Sequence, residues 1–214
     1  MKFTELLSFV AAEPVFSSSL LLSGKVDKRQ VRLQLSRWMK SGKLIQLRRG
    51  LYALAHPWRK VDPHPFLIAN RLRPGSYVSL QSALSWHGAI PEQVPVVTSV
   101  GPGRPETADT PLGKFQFQYL APALRFGFSR VEVAPRQSAF VAAPEKALLD
   151  LVHLTPGGDS DPFLRELRLQ NPLVFNRATL DHLARHSGKP KLLRASKVIG
   201  SLIEEIEEEE GEFL

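Results

Sequence analysis

Positions 27 to 54 read DKRQVRLQLSRWMKSGKLIQLRRGLYAL, a stretch with helical periodicity followed at once by two short runs of β-formers around Arg48-Arg49-Gly50. Asp27 suits a helix N-cap, because its carboxylate can accept from an unpaired first-turn amide, and Gly42 suits the left-handed stop after the last turn. A helix from Lys28 to about Ser41 is therefore expected. At about 100° per residue, Val31, Leu35, Trp38 and Met39 fall on one side. Lys28, Arg29, Gln30, Arg32, Leu33, Ser36, Arg37 and Lys40 cover the rest, so one face packs and the other offers cations and amides. Lys43 to Leu47 and Leu51 to Leu54 then predict a hairpin whose three-residue turn, Arg48 to Gly50, puts two guanidinium groups at a solvated tip. Upstream, Phe3 to Ala11 predicts a helix with Leu6, Leu7 and Val10 as its apolar face. Ser17 can cap a short second helix through Leu22, with Gly24 in the turn before Asp27. Two helices, a cationic helix and a hairpin in this order form the layout of a winged helix-turn-helix.

Charge follows the same division. Residues 1 to 60 hold 12 Lys and Arg against 3 acids, net +9; residues 61 to 199 hold 16 against 11; residues 200 to 214 hold none against 7. A cationic patch of this kind drives salt-sensitive phosphate binding, while sequence choice must come from side chains that reach base edges. On that basis Lys28, Arg29, Gln30, Arg32, Ser36, Arg37 and Lys40 are the candidate major-groove residues, and Arg48 and Arg49 the candidates for backbone or minor groove.

The 214 residues, 43% of them hydrophobic, suffice for two small domains. The absence of cysteine excludes disulfides and thiolate metal sites, and the first 20 residues lack the pattern of a secretory signal. No apolar run approaches the roughly 20 residues that span a bilayer. The expectation is a cytoplasmic protein. Its fold class is α+β, with the winged helix-turn-helix over 1–56, a proline-rich linker over 57–65, a mixed α/β domain with helical C-terminal end over 66–199, and an acidic tail over 200–214. Within the larger domain, helices are expected at Phe66 to Leu72, Leu80 to His87, Pro144 to about His153, Phe163 to Leu169, Ala178 to His186 and Leu192 to about Glu209. Strands are expected at Val94 to Val100, Phe115 to Tyr119, Val131 to Ala134 and Ala139 to Ala142.

Three ordered blocks, GKVDKRQVRLQLSRWMKSGKLIQLRRGLYAL, YVSLQSALSWHGAIPEQ and FVAAPEKALLDLV, give the chain a resemblance over roughly residues 10 to 155. In these it resembles the AbiEi family of type IV antitoxins and related transcriptional regulators. The resemblance implies that the winged helix binds double-stranded operator DNA and represses the antitoxin-toxin operon; a homodimer on DNA is a further expectation. It also implies that the second domain counteracts a nucleotidyltransferase-like toxin. Arg104 on a turn and Glu145, Lys146 and Asp150 on a helix are the candidate polar groups for that second role, with Ala147, Leu148 and Leu151 as the core side of the same helix.

Chemistry of other kinds finds little support. Nuclease chemistry of the common fused kind needs an acid followed by Glu-x-Lys, and no Asp-x-Lys or Glu-x-Lys triplet occurs in the chain. Glu145 at a helix start is favoured there by the helix dipole without any catalytic role. His182 and His186, one turn apart, lack the further ligands and the glutamate of a zinc site. Gly101-Pro102-Gly103-Arg104-Pro105 loses to its prolines two of the amides a phosphate cradle would use and reads as a turn between strands. Ser79, Ser82 and Ser85 lack a nucleophile elbow; Ser79 is expected to cap the following helix, and Trp86 and His87 to serve as core and C-cap. No enzyme, cofactor or metal is expected. The alternatives are a DNA-processing enzyme targeted by the winged helix and an adaptor whose basic face meets an acidic protein. The glutamates from 204 to 210 oppose the macrodipole at a helix C-terminus. They read as a solubilising tail or, more sharply, as a DNA mimic that covers the basic N-terminal region.

Overall fold

The computed structural model describes residues 1–22 and 27–211, the last three by backbone alone; the turn expected at Gly24 lies outside them. The fold is mixed α and β, built around two sheets. The N-terminal part comprises α1 (Phe3–Val10), β1 (Phe16–Ser17), α2 (Ser18–Leu21), α3 (Lys28–Lys40), β2 (Leu44–Arg48) and β3 (Leu51–Leu54). Local chemistry sets these boundaries. The Asp27 carboxylate accepts from the Arg29 and Gln30 amides at 2.8 and 3.3 Å, and Ser17 accepts from the Ser19 amide. Gly42 takes φ +67° just past α3. Val31, Leu35 and Trp38 turn inward and join Leu6, Val10, Phe16, Leu21, Leu44, Tyr52 and Leu54 in one apolar cluster. The helical spacing of the sequence is thus the spacing of the buried stripe.

The hairpin is tighter than its sequence suggests. Arg48 pairs with Leu51, so Arg48 belongs to β2 and the turn itself is Arg49-Gly50, with a register shift between Gln46 and Arg48. A bulge supplies the extra residue that a three-residue turn would otherwise have held. Gly50 sits at φ +85°, and its carbonyl accepts from the Ser18 amide at 2.8 Å, which ties the hairpin end to the start of α2.

Residues 57–65, expected as a linker, contact both flanks. Trp58 meets the Phe3 ring edge-on at 5.5 Å, while Gln137 donates to the Asp62 carbonyl and accepts from the His64 amide, both at 2.8 Å. Beyond them lie α4 (Pro65–Leu72), β4 (Tyr77–Val78), α5 (Leu80–Trp86), β5 (Val96–Gly101), β6 (Glu106–Thr110), β7 (Gly113–Tyr119), β8 (Phe128–Ala134) and β9 (Gln137–Ala142). The helices α6 (Pro144–Leu154), α7 (Asp161–Glu166), α8 (Arg177–His186) and α9 (Pro190–Gly211) follow. The second sheet runs in the order β6-β7-β5-β4-β9-β8, with β4/β9 and β5/β7 parallel and its other pairs antiparallel.

Two strands escape a reading by periodicity. β4 is only two residues long, and β6, ETADT, has no apolar alternation; it exists because a turn folds it back on β7. The larger apolar core wraps this sheet with α4, α5, α6, α8 and α9, and it also takes in Val15, Leu47, Leu51 and Ala53 from the N-terminal part. No helix among the described residues is long and apolar enough to cross a membrane.

Candidate nucleic-acid interface

The outer face of α3 is cationic and uncommitted. Lys28, Arg29, Gln30, Arg32, Arg37 and Lys40 are exposed and Ser36 is half-buried. Among the described residues, the side chains of Lys28, Arg29, Arg32, Arg37 and Lys40 have no hydrogen-bond or ion-pair partner. Several other arginines of the chain do hold acids: Arg73 pairs with Glu106, Arg168 with Glu92, Arg177 with Glu204, Arg165 with Glu205 and Arg194 with Asp159. Guanidinium groups free of carboxylates on a helix whose opposite face is buried are positioned to meet an external anion. Arg29 and Gln30 stand in the first turn, held in helical register by the Asp27 cap.

At the hairpin the two arginines separate. Arg49 is exposed at the turn, as expected, and has no partner among the described residues. Arg48 is exposed too but not free at a tip: its guanidinium donates to the Arg71 carbonyl at the end of α4, at 3.3 Å. The bulge moved Arg48 into the strand, and the packing of the hairpin on α4 gave it an acceptor.

The polar residues expected on the surface of α6 are instead deep inside. Glu145, Lys146 and Asp150 are 4%, 3% and 1% exposed, because α6 packs on α5, α8, α9 and the sheet and so has no solvent face. Lys146 donates to Asp150, whose other carboxylate oxygen accepts from the Tyr77 hydroxyl at 2.9 Å and the Ser79 hydroxyl at 2.8 Å. Burial pushes the Asp150 carboxyl up, against the pull of Lys146, Ser79 and Tyr77. Burial, reinforced by the Asp150 charge, pushes the Tyr77 hydroxyl up far enough to keep it a donor. Lys146 also lies 4.8 Å from the Phe126 ring, and Glu145 accepts from the Asn176 amide at 2.5 Å. Every member of this network is satisfied within the protein, which makes it an internal brace and removes these three residues from any surface a partner could reach.

Ser79 is corrected by the same network. It occupies the N-cap position of α5 but its hydroxyl makes no cap, being committed to Asp150. Trp86 is not core either: it is 42% exposed, with its ring against His64 and Phe66. His87 holds the C-cap position, and its ring nitrogen reaches the Ala142 carbonyl at 2.9 Å. Arg104 lies exposed on the turn between β5 and β6, where its carbonyl accepts from Arg73 at 2.7 Å. The residue that sequence reasoning passed over is Arg71, exposed at the end of α4 beside the hairpin. A lone arginine in the last turn of a helix carries no signal until the fold brings Arg48 and Arg49 to it.

No protein-family model matches the chain, and no curated protein matches it significantly. The geometry of its own side chains therefore carries the functional reading. Among the described residues, that geometry comprises a cationic helix face without carboxylate partners, a hairpin with an unpartnered arginine, and a buried polar brace.

Proposed function

We propose that the chain is a cytoplasmic, non-enzymatic transcriptional repressor that binds double-stranded DNA through an N-terminal winged helix-turn-helix. α3 would be the recognition helix and β2-β3 the wing. The observation that carries this reading is the outer face of α3, where Arg29, Arg32, Arg37, Lys28 and Lys40 are exposed and, among the described residues, unpaired beside the amide of Gln30. Cations supply phosphate affinity, and Arg29 and Gln30 in the first turn are of the types that read guanine and adenine edges. In keeping with the resemblance to AbiEi antitoxins, the operator would be that of its own operon, bound by a homodimer. The larger part of the chain would counteract a nucleotidyltransferase-like toxin. Arg104 remains a surface candidate for that contact, and the buried Glu145, Lys146 and Asp150 act on it only by holding the fold.

The test is binding of the full chain to the duplex upstream of its own gene, compared with a random duplex. Arg29→Ala should lower affinity by about 1–3 kcal/mol and relax preference at one operator position. Absence of affinity for either duplex at low salt would refute the DNA reading. For the second role, Arg29→Ala combined with Arg37→Ala, expressed from an unrelated promoter, should still rescue cells that carry the neighbouring toxin.

A further inference from the structure

The hairpin is docked on α4, and the docking seam is lined by arginines that no carboxylate among the described residues neutralises. A cleft of about 450 Å³ between the two has Arg48, Arg49 and Arg71 on its walls, with Ser17, Ser18 and Ser19. A second depression of about 330 Å³ adjoins it, lined by Arg71 again and by Arg130 of β8, with Ser76 and Ser138. Asn70, Arg71 and Pro74 line both, so the two depressions adjoin at Arg71, with Arg48 and Arg49 on the wall of one and Arg130 on that of the other. All four are exposed, and among the described residues the side chains of Arg49, Arg71 and Arg130 have no partner, while Arg48 has only a carbonyl. Glu13 lies with Arg71 on a further depression but forms no ion pair with it. The Ser17 hydroxyl accepts from the amide and hydroxyl of Ser19, and the half-buried Ser18 lines the same cleft.

We infer that duplex DNA engaged by α3 continues across the hairpin onto α4 and β8, where Arg71 and Arg130 each meet a backbone phosphate. The inference rests on the DNA-binding reading above and extends it to the part of the chain beyond residue 60. Guanidinium groups spaced along an open path match a phosphodiester backbone, which offers anionic oxygens at regular intervals and two acceptors to each planar fork. A free nucleotide fits the first cleft less well, because none of its lining residues is aromatic and its base would have no ring to stack on. The Arg48 bond to the Arg71 carbonyl ties the hairpin to the end of α4 and so keeps Arg71 beside Arg48 and Arg49 on one cleft. Arg71 and Arg130 would add affinity without sequence choice, as phosphate contacts do.

The experiment is fluorescence anisotropy of a labelled random-sequence duplex with the full chain, over roughly 50 to 200 mM salt. Arg71→Ala with Arg130→Ala should reduce the slope of log affinity against log salt by about 2, close to 0.9 for each lost phosphate contact. Arg71→Lys with Arg130→Lys should restore most of that slope, which a merely structural role would not predict. An unchanged slope and affinity in the double alanine variant, with binding lost in Arg29→Ala/Arg37→Ala, would overturn the inference and leave the DNA reading standing. Loss of duplex binding in none of these variants would count against both. Calorimetric titration of the wild-type chain with ATP and with inorganic phosphate separates the remaining source. Binding that disappears in Arg71→Ala, with duplex affinity unchanged, would assign the cleft to a free phosphoester instead.

Discussion

A single buried carboxylate, Asp150, anchors a polar network inside the molecule. Tyr77, Ser79 and Lys146 converge on it from β4, the start of α5 and α6. Removing one charge strands the other in a medium that solvates it poorly, so Lys146→Met should destabilise the fold by about 3–5 kcal/mol. Lys146→Met with Asp150→Leu should recover part of that loss, and a denaturant midpoint for each variant checks the order. A double variant weaker than the single would mean that the hydroxyls, rather than the ion pair, dominate. His64 offers a second residue-scale test. Its Nδ1 accepts from the Phe66 amide at 3.2 Å, and burial holds its pKa below the usual 6.5. Burial also lowers His153. Between the folded value and 6.5 the unfolded chain binds more protons than the folded one, so their contribution is complete above 6.5 and is lost as pH falls through that window. His64→Asn keeps an acceptor for the Phe66 amide without titrating. Melting temperature should therefore fall less between pH 7 and pH 5.5 for the variant than for the wild type.

Among the elements, the β2-β3 hairpin is the one whose internal geometry and external docking depend on each other. Gly50 holds φ +85°, and a Cβ placed there would come within 3.3 Å of the Ser18 hydroxyl oxygen. A β-branched residue is strained at that φ before any contact is counted, so Gly50→Val should cost about 1–3 kcal/mol. Chemical denaturation measures the loss, and a midpoint equal to that of wild type would show that the turn can re-form without positive φ. The α9 helix shows a different dependence. Acids at its C-terminal end oppose the helix dipole, yet Arg177 meets Glu204 and Arg165 meets Glu205 at 2.8 Å, which holds the Glu205 carboxyl below its usual range. These cations come from α8 and α7, on which α9 packs. At these two glutamates the end of α9 is therefore paired with its own half of the molecule, and not with the basic face of α3.

At the scale of the whole molecule, the larger core extends across residue 60. Val15, Leu47, Leu51 and Ala53 are buried with α4 and the six-stranded sheet, although they belong to the segment that holds α3 and the hairpin. A fragment of residues 1 to 60 would expose them, losing apolar burial and the Arg48 anchor together. It should melt at a lower temperature than the full chain and self-associate, as light scattering would report. A monomeric fragment with the full chain's melting temperature would show that the two parts are energetically independent. Because the core is shared, a change at the hairpin is transmitted to α4 by direct packing, so the proposed DNA binding and any second activity would be physically coupled.

Read alone, the sequence determined what is local. Asp27, Gly42 and Ser17 set helix ends because capping and left-handed turns involve residues a few positions apart, and the stripe of Val31, Leu35 and Trp38 told which face of α3 would stay outside. The candidate residues of that face were legible for the same reason. Tertiary structure decided what depends on distant partners. β6 is a strand only because β7 pairs with it, and the polar residues of α6 are buried because α5, α8, α9 and the sheet cover them, with hydroxyls from 71 and 73 positions earlier to satisfy Asp150. Arg71 stands beside Arg48 because a hairpin and a helix 23 residues apart share a hydrogen bond. Periodicity records which side of an element is apolar; it does not record how many neighbours will cover the other side, and that number decided whether a charged residue became a brace or a contact.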